Sequence, residues 1–429
     1  MKKNILLVAL ALSTQLVNAQ FNINIKTEGD NTNKEIYVYT LDGSKDILFT
    51  KGQSSKNSFS IKYPTPYSGI MKAYIPEFKT TIPFISENRN IDILLKIKDG
   101  KVDDIIYLDE ANKLMSKLQS TEKKKDYILP ALYQISQYYK KSEEFAQALE
   151  KEIHNLSQSE KEDLQSYPFI NYYHTNSSKF LQKSIEAPSI SQEEIIKFIS
   201  DSNEMLETSS LLRPILLSYL NSKENLNAED AVAKLLTAVN IETSRGQTVL
   251  SELIDIFNAY AMNDLKEKYL KDAQNLKCSI NSRLENTIKI NKSLDIGAPF
   301  ANSDLENALN TSAKTLYGVK ANKKIIIFWS SGCSHCTKEL PQFIPHYETL
   351  KSKGIEIIGF SLDSNKESYL EKAQNYPWIS TSELNGWYAS YVQKYNVQAT
   401  PIYFVLDAKN KIIAKPDRYT DVMEFLGIK

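Results

Sequence analysis

Cysteine is nearly absent from this chain: three occur in 429 positions, Cys278, Cys333 and Cys336. That scarcity excludes a small scaffold stapled by disulfides, so stability must come from ordinary hydrophobic cores, which a chain of this length can build. Net charge is missing as well. Lysine and arginine number 52 against 52 aspartate and glutamate, so there is no basic surplus for phosphate contacts and no nucleic-acid partner is expected. No stretch reaches about 18 uninterrupted apolar residues, which excludes a polytopic membrane protein. There is no convincing 34-residue repeat either. What remains, 42% hydrophobic and 24% charged residues, is the composition of a folded protein, and the length suggests two or three domains.

The first nineteen residues have the pattern of a secretory signal. Lys2 and Lys3 precede the apolar run Ile5 to Leu12, and small residues follow as far as Val17-Asn18-Ala19, with cleavage expected after Ala19. An uncleaved membrane anchor is the lesser alternative because the run is too short to span a bilayer. No cysteine near the cleavage site supports a lipoprotein anchor. Cleavage removes two lysines and no acids, leaving 50 basic against 52 acidic residues and a mature net charge of −2. The expected location is therefore outside the cytoplasm, in the periplasm.

Three patterns follow one another after the signal. Residues 20–107 alternate polar and apolar positions in short runs such as Phe21-Asn22-Ile23-Asn24-Ile25 and Ile91-Asp92-Ile93-Leu94-Leu95, punctuated by Asp42-Gly43, Lys51-Gly52 and Pro64-Thr65-Pro66. Period-two alternation of this kind predicts an antiparallel β-sandwich. It carries no cysteine or histidine, so no chemistry is expected of it. Residues 108–291 change to a helical period, with Ile128, Leu132, Ile135 and Tyr139 on one stripe and Met262, Leu265, Tyr269, Ala273 and Leu276 on another. Breaks at Pro188, Pro214 and Gly246 predict several helices in an all-α middle domain. Its many tyrosines, including Tyr138-Tyr139 and Tyr172-Tyr173, are expected to fill helix interfaces, with an aromatic peptide-binding groove as the alternative. Residues 292–429 alternate strands and helices, which predicts an α/β domain with a parallel or mixed sheet.

Within that last segment the apolar strand Ile325-Ile326-Ile327-Phe328-Trp329 runs into Cys333-Ser334-His335-Cys336 at the start of an amphipathic stretch. A Cys-x-x-Cys pair after a buried strand and at a helix start suits redox chemistry. Free backbone N–H groups and the positive end of the helix dipole stabilise a thiolate on the first cysteine. The second, one turn further on, is placed to close a disulfide, so the pair can attack a substrate disulfide and resolve the mixed disulfide. Zinc would need four ligands, and only Cys278, His154, His174 and His346 stand outside the motif. A structural disulfide remains an alternative. A peroxidatic cysteine is disfavoured because Ile326 occupies the position where that pattern has proline.

Residues from about 293 to 429 resemble the TlpA/ResA branch of the thioredoxin superfamily, the exported thiol-disulfide oxidoreductases. The likeness rests on Gly297-Ala298-Pro299-Phe300, Phe328-Trp329 before the Cys-x-x-Cys, Glu339-Leu340-Pro341, Gly354-Ile355-Glu356-Ile357 and Ala399-Thr400-Pro401, in that order. The β-domain more weakly resembles the domain that precedes such modules in exported multidomain proteins. The resemblance implies a C-terminal thioredoxin fold with Cys333 as nucleophile and Cys336 as resolving thiol. It implies that Pro401 is a cis-proline facing the dithiol, that Trp329, Thr400 and Pro401 contact substrate, and that Pro341 kinks the active-site helix. It also implies a proton relay at Glu356 beneath the dithiol, with exposure at the strand's start as the alternative, and redox tuning by Ser334 and His335. Gly332 stands where many relatives have tryptophan, which leaves the shape of the cap over the site open.

The expected function is an exported oxidoreductase that reduces or exchanges disulfides of protein substrates. It would use no cofactor beyond a redox-active Cys333–Cys336 disulfide and no metal, and it would draw on a membrane or periplasmic electron donor. Disulfide oxidase or isomerase action, which His335 favours, and a non-catalytic docking module are the alternatives. Cys278 is expected to lie off the apolar face of a stripe through Leu276, Ile280 and Leu284, as a spectator thiol, with an intermolecular disulfide or a regulatory partnership with Cys333 as the alternatives.

Overall fold

The computed structural model describes residues 21–28, 33–140, 143–157, 163–181, 190–222 and 227–428. The signal expected at 1–19 and the break expected at Pro188 lie outside the described residues. The chain separates into two compact units. The first holds the described residues up to Thr40 with Ile47–Thr175, and the second holds Leu41–Asp46 with the described residues from Asn176 onward.

The N-terminal strands are β1 (Phe21–Thr27), β2 (Glu35–Asp42), β3 (Lys45–Gln53), β4 (Ser58–Tyr63), β5 (Ser68–Ile75), β6 (Thr80–Glu87), β7 (Ile91–Lys98) and β8 (Lys101–Tyr107), and all but the β2–β3 corner Leu41–Asp46 belong to the first unit. These strands form two four-stranded sheets, ordered β4-β1-β7-β8 and β3-β2-β5-β6. The alternation in sequence is the cause: Phe21, Ile23 and Ile25 of β1 are buried while Asn22 and Lys26 face outward. Inward rows from both sheets meet in one core, with Ile25, Phe59 and Ile93 from the first and Val38, Met71 and Phe84 from the second.

The expectation of wholly antiparallel pairing is corrected at one place. β1 pairs antiparallel with β4 but parallel with β7, Ile23 standing opposite Ile91. Alternation reports which face is buried and is blind to strand direction. The parallel pair becomes possible because the whole second sheet is threaded between β1 and β7, giving the long crossover that parallel strands require.

Helices Glu110–Tyr127, Leu129–Ser136 and Glu144–Ser157 follow in the same unit. Asn112 is buried and binds both the N–H and the carbonyl of Ile85, so it ties the first helix to β6 in place of a further strand. Tyr138 is exposed by 87% and fills no interface within the unit, whereas Tyr139, 42% exposed, packs edge-on against Phe145 of the helix Glu144–Ser157.

In the second unit the helix Ser244–Ala259 is the axis, with Gly246 through Phe257 all buried. A Cβ at Gly246 would meet the Asn240 carbonyl oxygen at 2.1 Å, so glycine allows this close approach at the helix start and does not break the helix. Arg283 from the helix Ser282–Ser293 binds Glu252 at 3.1 Å and Asp255 at 2.5 Å, and the Ser44 hydroxyl also binds Glu252. Residues 275–281 form a connection between helices, so Cys278 lies in a loop and not on the expected helical stripe.

The C-terminal sheet contains β9 (Lys323–Trp329), β10 (Ile355–Ser361), β11 (Ile379–Thr381), β12 (Ile402–Asp407) and β13 (Ile412–Ala414), in the order β11-β10-β9-β12-β13. β9, β10 and β11 are parallel, and β12 and β13 each run antiparallel to the preceding neighbour in that order. The apolar run of β9 serves two cores: Ile325, Ile327 and Trp329 face one, Ile326 and Phe328 the other. After β9 the helix Ser334–Glu339 is short and passes into a tighter 3-10 segment, Leu340–His346, which contains Pro341 and Pro345. The proline therefore marks a change of helix type where a kink was expected. Among the described residues, no helix is long and apolar enough to cross a membrane.

Candidate active site

The sheet topology gathers the site at one end. Cys333 follows the last residue of β9 by four positions, and because β12 is antiparallel to β9, its first residue, Ile402, stands opposite Phe328. The loop leading into β12 is thereby delivered to the dithiol. The Thr400–Pro401 peptide bond is cis, and the Thr400 carbonyl oxygen lies 3.2 Å from Cys333 Sγ. Both cysteines are free thiols in this structure.

Cys333 is the N-cap of the helix Ser334–Glu339, and its sulfur accepts the backbone N–H of Cys336 at 3.2 Å. Burial works to raise its pKa. That effect is outweighed by hydrogen bonding from the Cys336 and Thr400 side chains and from the backbone N–H groups of Cys336 and His335, so the thiol sits below the ordinary cysteine value. Cys336 is only 1% exposed, and burial, followed by the hydrogen bond with Cys333, pushes its thiol well up. The two sulfurs are thus differentiated into a partly accessible thiol of lowered pKa and a buried thiol of raised pKa. Ser334 and His335 both face solvent.

Alkylation at neutral pH should reflect this difference. In a Cys278→Ser background, iodoacetamide is expected to label Cys333 at least about tenfold faster than Cys336, with the Cys333 rate rising with pH up to its depressed pKa and levelling above it. Peptide mass spectrometry over a pH series checks this, and equal labelling of the two would contradict it.

The turn before Cys333 is held by a residue the sequence analysis did not single out. Asp363, buried just past β10, accepts from the Ser330 hydroxyl at 3.1 Å, the Ser331 N–H at 3.1 Å, the Ser331 hydroxyl at 2.7 Å and the Ser361 hydroxyl at 2.6 Å. A carboxylate directly after an apolar central strand was the available signal, because such a position tolerates a charge only when it is fully hydrogen-bonded.

Two expected site residues lie elsewhere. Trp329 is 1% exposed and packs edge-on against Tyr376 and beside Tyr369, so it is a core residue that presents almost no surface at the site. Glu356 is the second residue of β10 and stands opposite Lys324, five positions before the Trp329 end of β9. At about 3.3 Å per strand residue, that puts it roughly 16 Å from the end of the sheet that carries the dithiol. It binds the Tyr347 hydroxyl at 2.8 Å and Lys351 at 2.6 Å. A relay of the Cys336 proton through Glu356 is thereby corrected: parallel pairing carries the start of β10 to the wrong end.

Besides Asp363, a carboxylate near the dithiol is Glu339, three residues after Cys336 on the same helix and hence on the same face. Its Oε2 accepts the Tyr403 hydroxyl at 3.0 Å and the Tyr419 N–H at 2.9 Å. Tyr403 is buried, and its pKa is raised by burial first, then by Glu339, with smaller contributions from Cys336 and Cys333. The i, i+3 spacing from Cys336 was legible in Glu339-Leu340-Pro341, but the carboxylate's role depends on a tyrosine 64 positions away. Among the described residues, no group of three or more His, Cys, Asp or Glu side chains is arranged to hold a metal ion. Cys278, half-buried, accepts from Gln247 Nε2 at 3.4 Å.

Residues 323–412 match the family model described as thioredoxin-like. Thiol-disulfide oxidoreductase ResA of Bacillus subtilis is 23% identical over 141 residues, which is 32% of this chain and 75% of that protein. Sporulation thiol-disulfide oxidoreductase A of the same organism is 26% identical over 98 residues, 22% of this chain and 58% of that protein. Among solved structures, the thioredoxin domain of a thiol-disulfide oxidoreductase from Bacteroides vulgatus is 27% identical, covering 31% of this chain and 99% of that domain with a TM-score of 0.28.

Proposed function

The chain is a TlpA/ResA-like member of the thioredoxin superfamily through its C-terminal part, and from that membership we propose that it is an exported thiol-disulfide oxidoreductase that reduces disulfides of protein substrates. The observation that carries the proposal is the Cys333–Cys336 pair at a helix start, with its thiols shifted in opposite directions and its nucleophile beside the cis-proline loop.

In this reading the Cys333 thiolate attacks one sulfur of the substrate disulfide. A Cys333–substrate bond forms, the substrate S–S bond breaks, and the first substrate thiolate leaves. Cys336 then loses its proton and attacks Cys333 Sγ, which closes the Cys333–Cys336 disulfide and releases the second substrate thiolate. The substrate gains two electrons and two protons, and the protein dithiol loses them. An external dithiol donor must reduce the pair again, and no further cofactor is needed. Backbone at Thr400 lies beside the attacking Cys333 sulfur and is positioned to hold an extended client. The β-sandwich reading of residues 20–107, the helical reading of 108–291 and cleavage after Ala19 belong to the same proposal; the helices would position the client for the module at 292–429.

A depressed nucleophile pKa also stabilises the reduced form, which favours the oxidising direction. One pair of assays separates the two. Insulin reduction with dithiothreitol as donor is expected to accelerate well above the rate of Cys333→Ser, and oxidation of a reduced dithiol peptide by the disulfide form is expected to be slower. Faster oxidation than reduction would overturn the direction. Absence of both reactions, with a dithiol that never cycles, would leave a docking module.

A further inference from the structure

The cis-proline loop is one wall of a cavity of about 110 Å³, and the helical part of the same unit supplies the other. Pro401, Ala399 and Tyr403 line the first wall; Asn258, Asn263 and Lys266 line the second. Pro401 follows Thr400, whose carbonyl touches the Cys333 sulfur, so the cavity adjoins the place where a client's cysteine must sit.

Lys266 is the unexplained group. It is 6% exposed, yet its contacts are long: Nζ lies 3.4 Å from Asn258 Oδ1, and 3.8 Å from Glu267 Oε1, its closest carboxylate among the described residues. Lys415 lines the same cavity and repels it. Asp417 is held at the rim by the Asn263 side chain at 3.1 and 3.2 Å and is exposed. A buried ammonium without a close counter-ion is costly, and the cost falls when an anion is brought to it. Consistent with this, burial, then Lys415, lowers the Lys266 pKa, and Glu267, Asp417 and Asp295 only partly offset the effect.

We infer that this cavity is a specificity subsite in which Lys266 receives an acidic side chain of the client lying close in sequence to the cysteine under attack. The inference rests on the oxidoreductase reading above and assigns its client class: disulfides flanked by glutamate or aspartate. At about 30 Å³ per water the cavity holds roughly four waters, which is room enough for a carboxylate side chain. It also gives the helices a task in catalysis, since the cation comes from Asn263–Gln274 and the nucleophile from the thioredoxin-like module.

The test uses the full chain and fluorogenic disulfide peptides identical except for Glu, Gln or Lys at successive positions on either side of the cysteine. At one position the Glu peptide is expected to exceed the Gln peptide in kcat/KM by about tenfold, through KM, with the Lys peptide poorest. Lys266→Met should bring that ratio to about one, while the Gln-peptide rate and the Cys333 alkylation rate stay within about twofold of the parent. The parent protein's peptide series stands by itself if Lys266→Met does not fold. Turnover without preference at any position, or a preference that survives Lys266→Met, overturns the subsite alone. Failure to reduce any peptide overturns the oxidoreductase reading and the subsite with it.

Discussion

In Cys336→Ser the protein stops after its first chemical step: a mixed disulfide on Cys333 accumulates to about one adduct per chain, while Cys333→Ser forms none and turns over at least about a thousandfold more slowly than the parent. The asymmetry follows from where the two sulfurs sit. Cys333 caps a helix, keeps part of its surface open and has its thiolate stabilised by N–H groups of the first turn. Cys336 is sealed under that turn and cannot serve as a replacement nucleophile when Cys333 is removed. Serine at 336 preserves the helix but cannot form the closing S–S bond, so release of the second substrate thiolate is lost. Intact-mass spectrometry after mixing with a peptide disulfide counts the adducts. Turnover by Cys333→Ser above the uncatalysed rate, or no adduct on Cys336→Ser, would contradict the assignment of roles.

How legible all this was in sequence depends on whether a feature is local. The dithiol, the strand before it and the helix after it are neighbours along the chain, so spacing alone located Cys333 and Cys336. Thr400-Pro401 lies 64 positions beyond Cys336, and the family likeness supplied what spacing could not; the antiparallel return of β12 is the physical reason the loop arrives there. The two misplaced residues failed for one reason. Glu356 and Trp329 took their roles from the family resemblance, whereas function depends on which end and which face of the strand each residue occupies. β10 starts at the end of the sheet opposite the dithiol, and Trp329 shares a face with Ile325 and Ile327 and so points into a core. The N-terminal strands were read correctly as alternating, yet the parallel β1–β7 pair was invisible because alternation is the same in either direction. Cys278 was assigned to a helix because Leu276, Ile280 and Leu284 have helical spacing, although Leu276 and Ile280 lie in the loop that carries Cys278.

Closing the disulfide demands that a deeply buried thiol with a raised pKa give up its proton, so the step needs a nearby acceptor. Glu356 is excluded by position, and Glu339 is one helical turn from Cys336. The Tyr403 hydroxyl donates to Glu339, and its pKa is raised in small part by both cysteines, which makes Tyr403 and Glu339 the candidate route for a proton leaving Cys336. Glu339→Gln is therefore expected to slow resolution of a preformed Cys333 mixed disulfide by about a hundredfold, while leaving formation of that mixed disulfide nearly unchanged. Tyr403→Phe should slow the same step, and Glu356→Gln should stay within about twofold of the parent on both steps. Single-turnover quench experiments across pH separate the steps. A carboxylate that merely anchors the Tyr419 N–H would alter stability in Glu339→Gln without changing how resolution depends on pH, and equal effects of Glu339→Gln and Glu356→Gln on resolution would rule out the route through Tyr403.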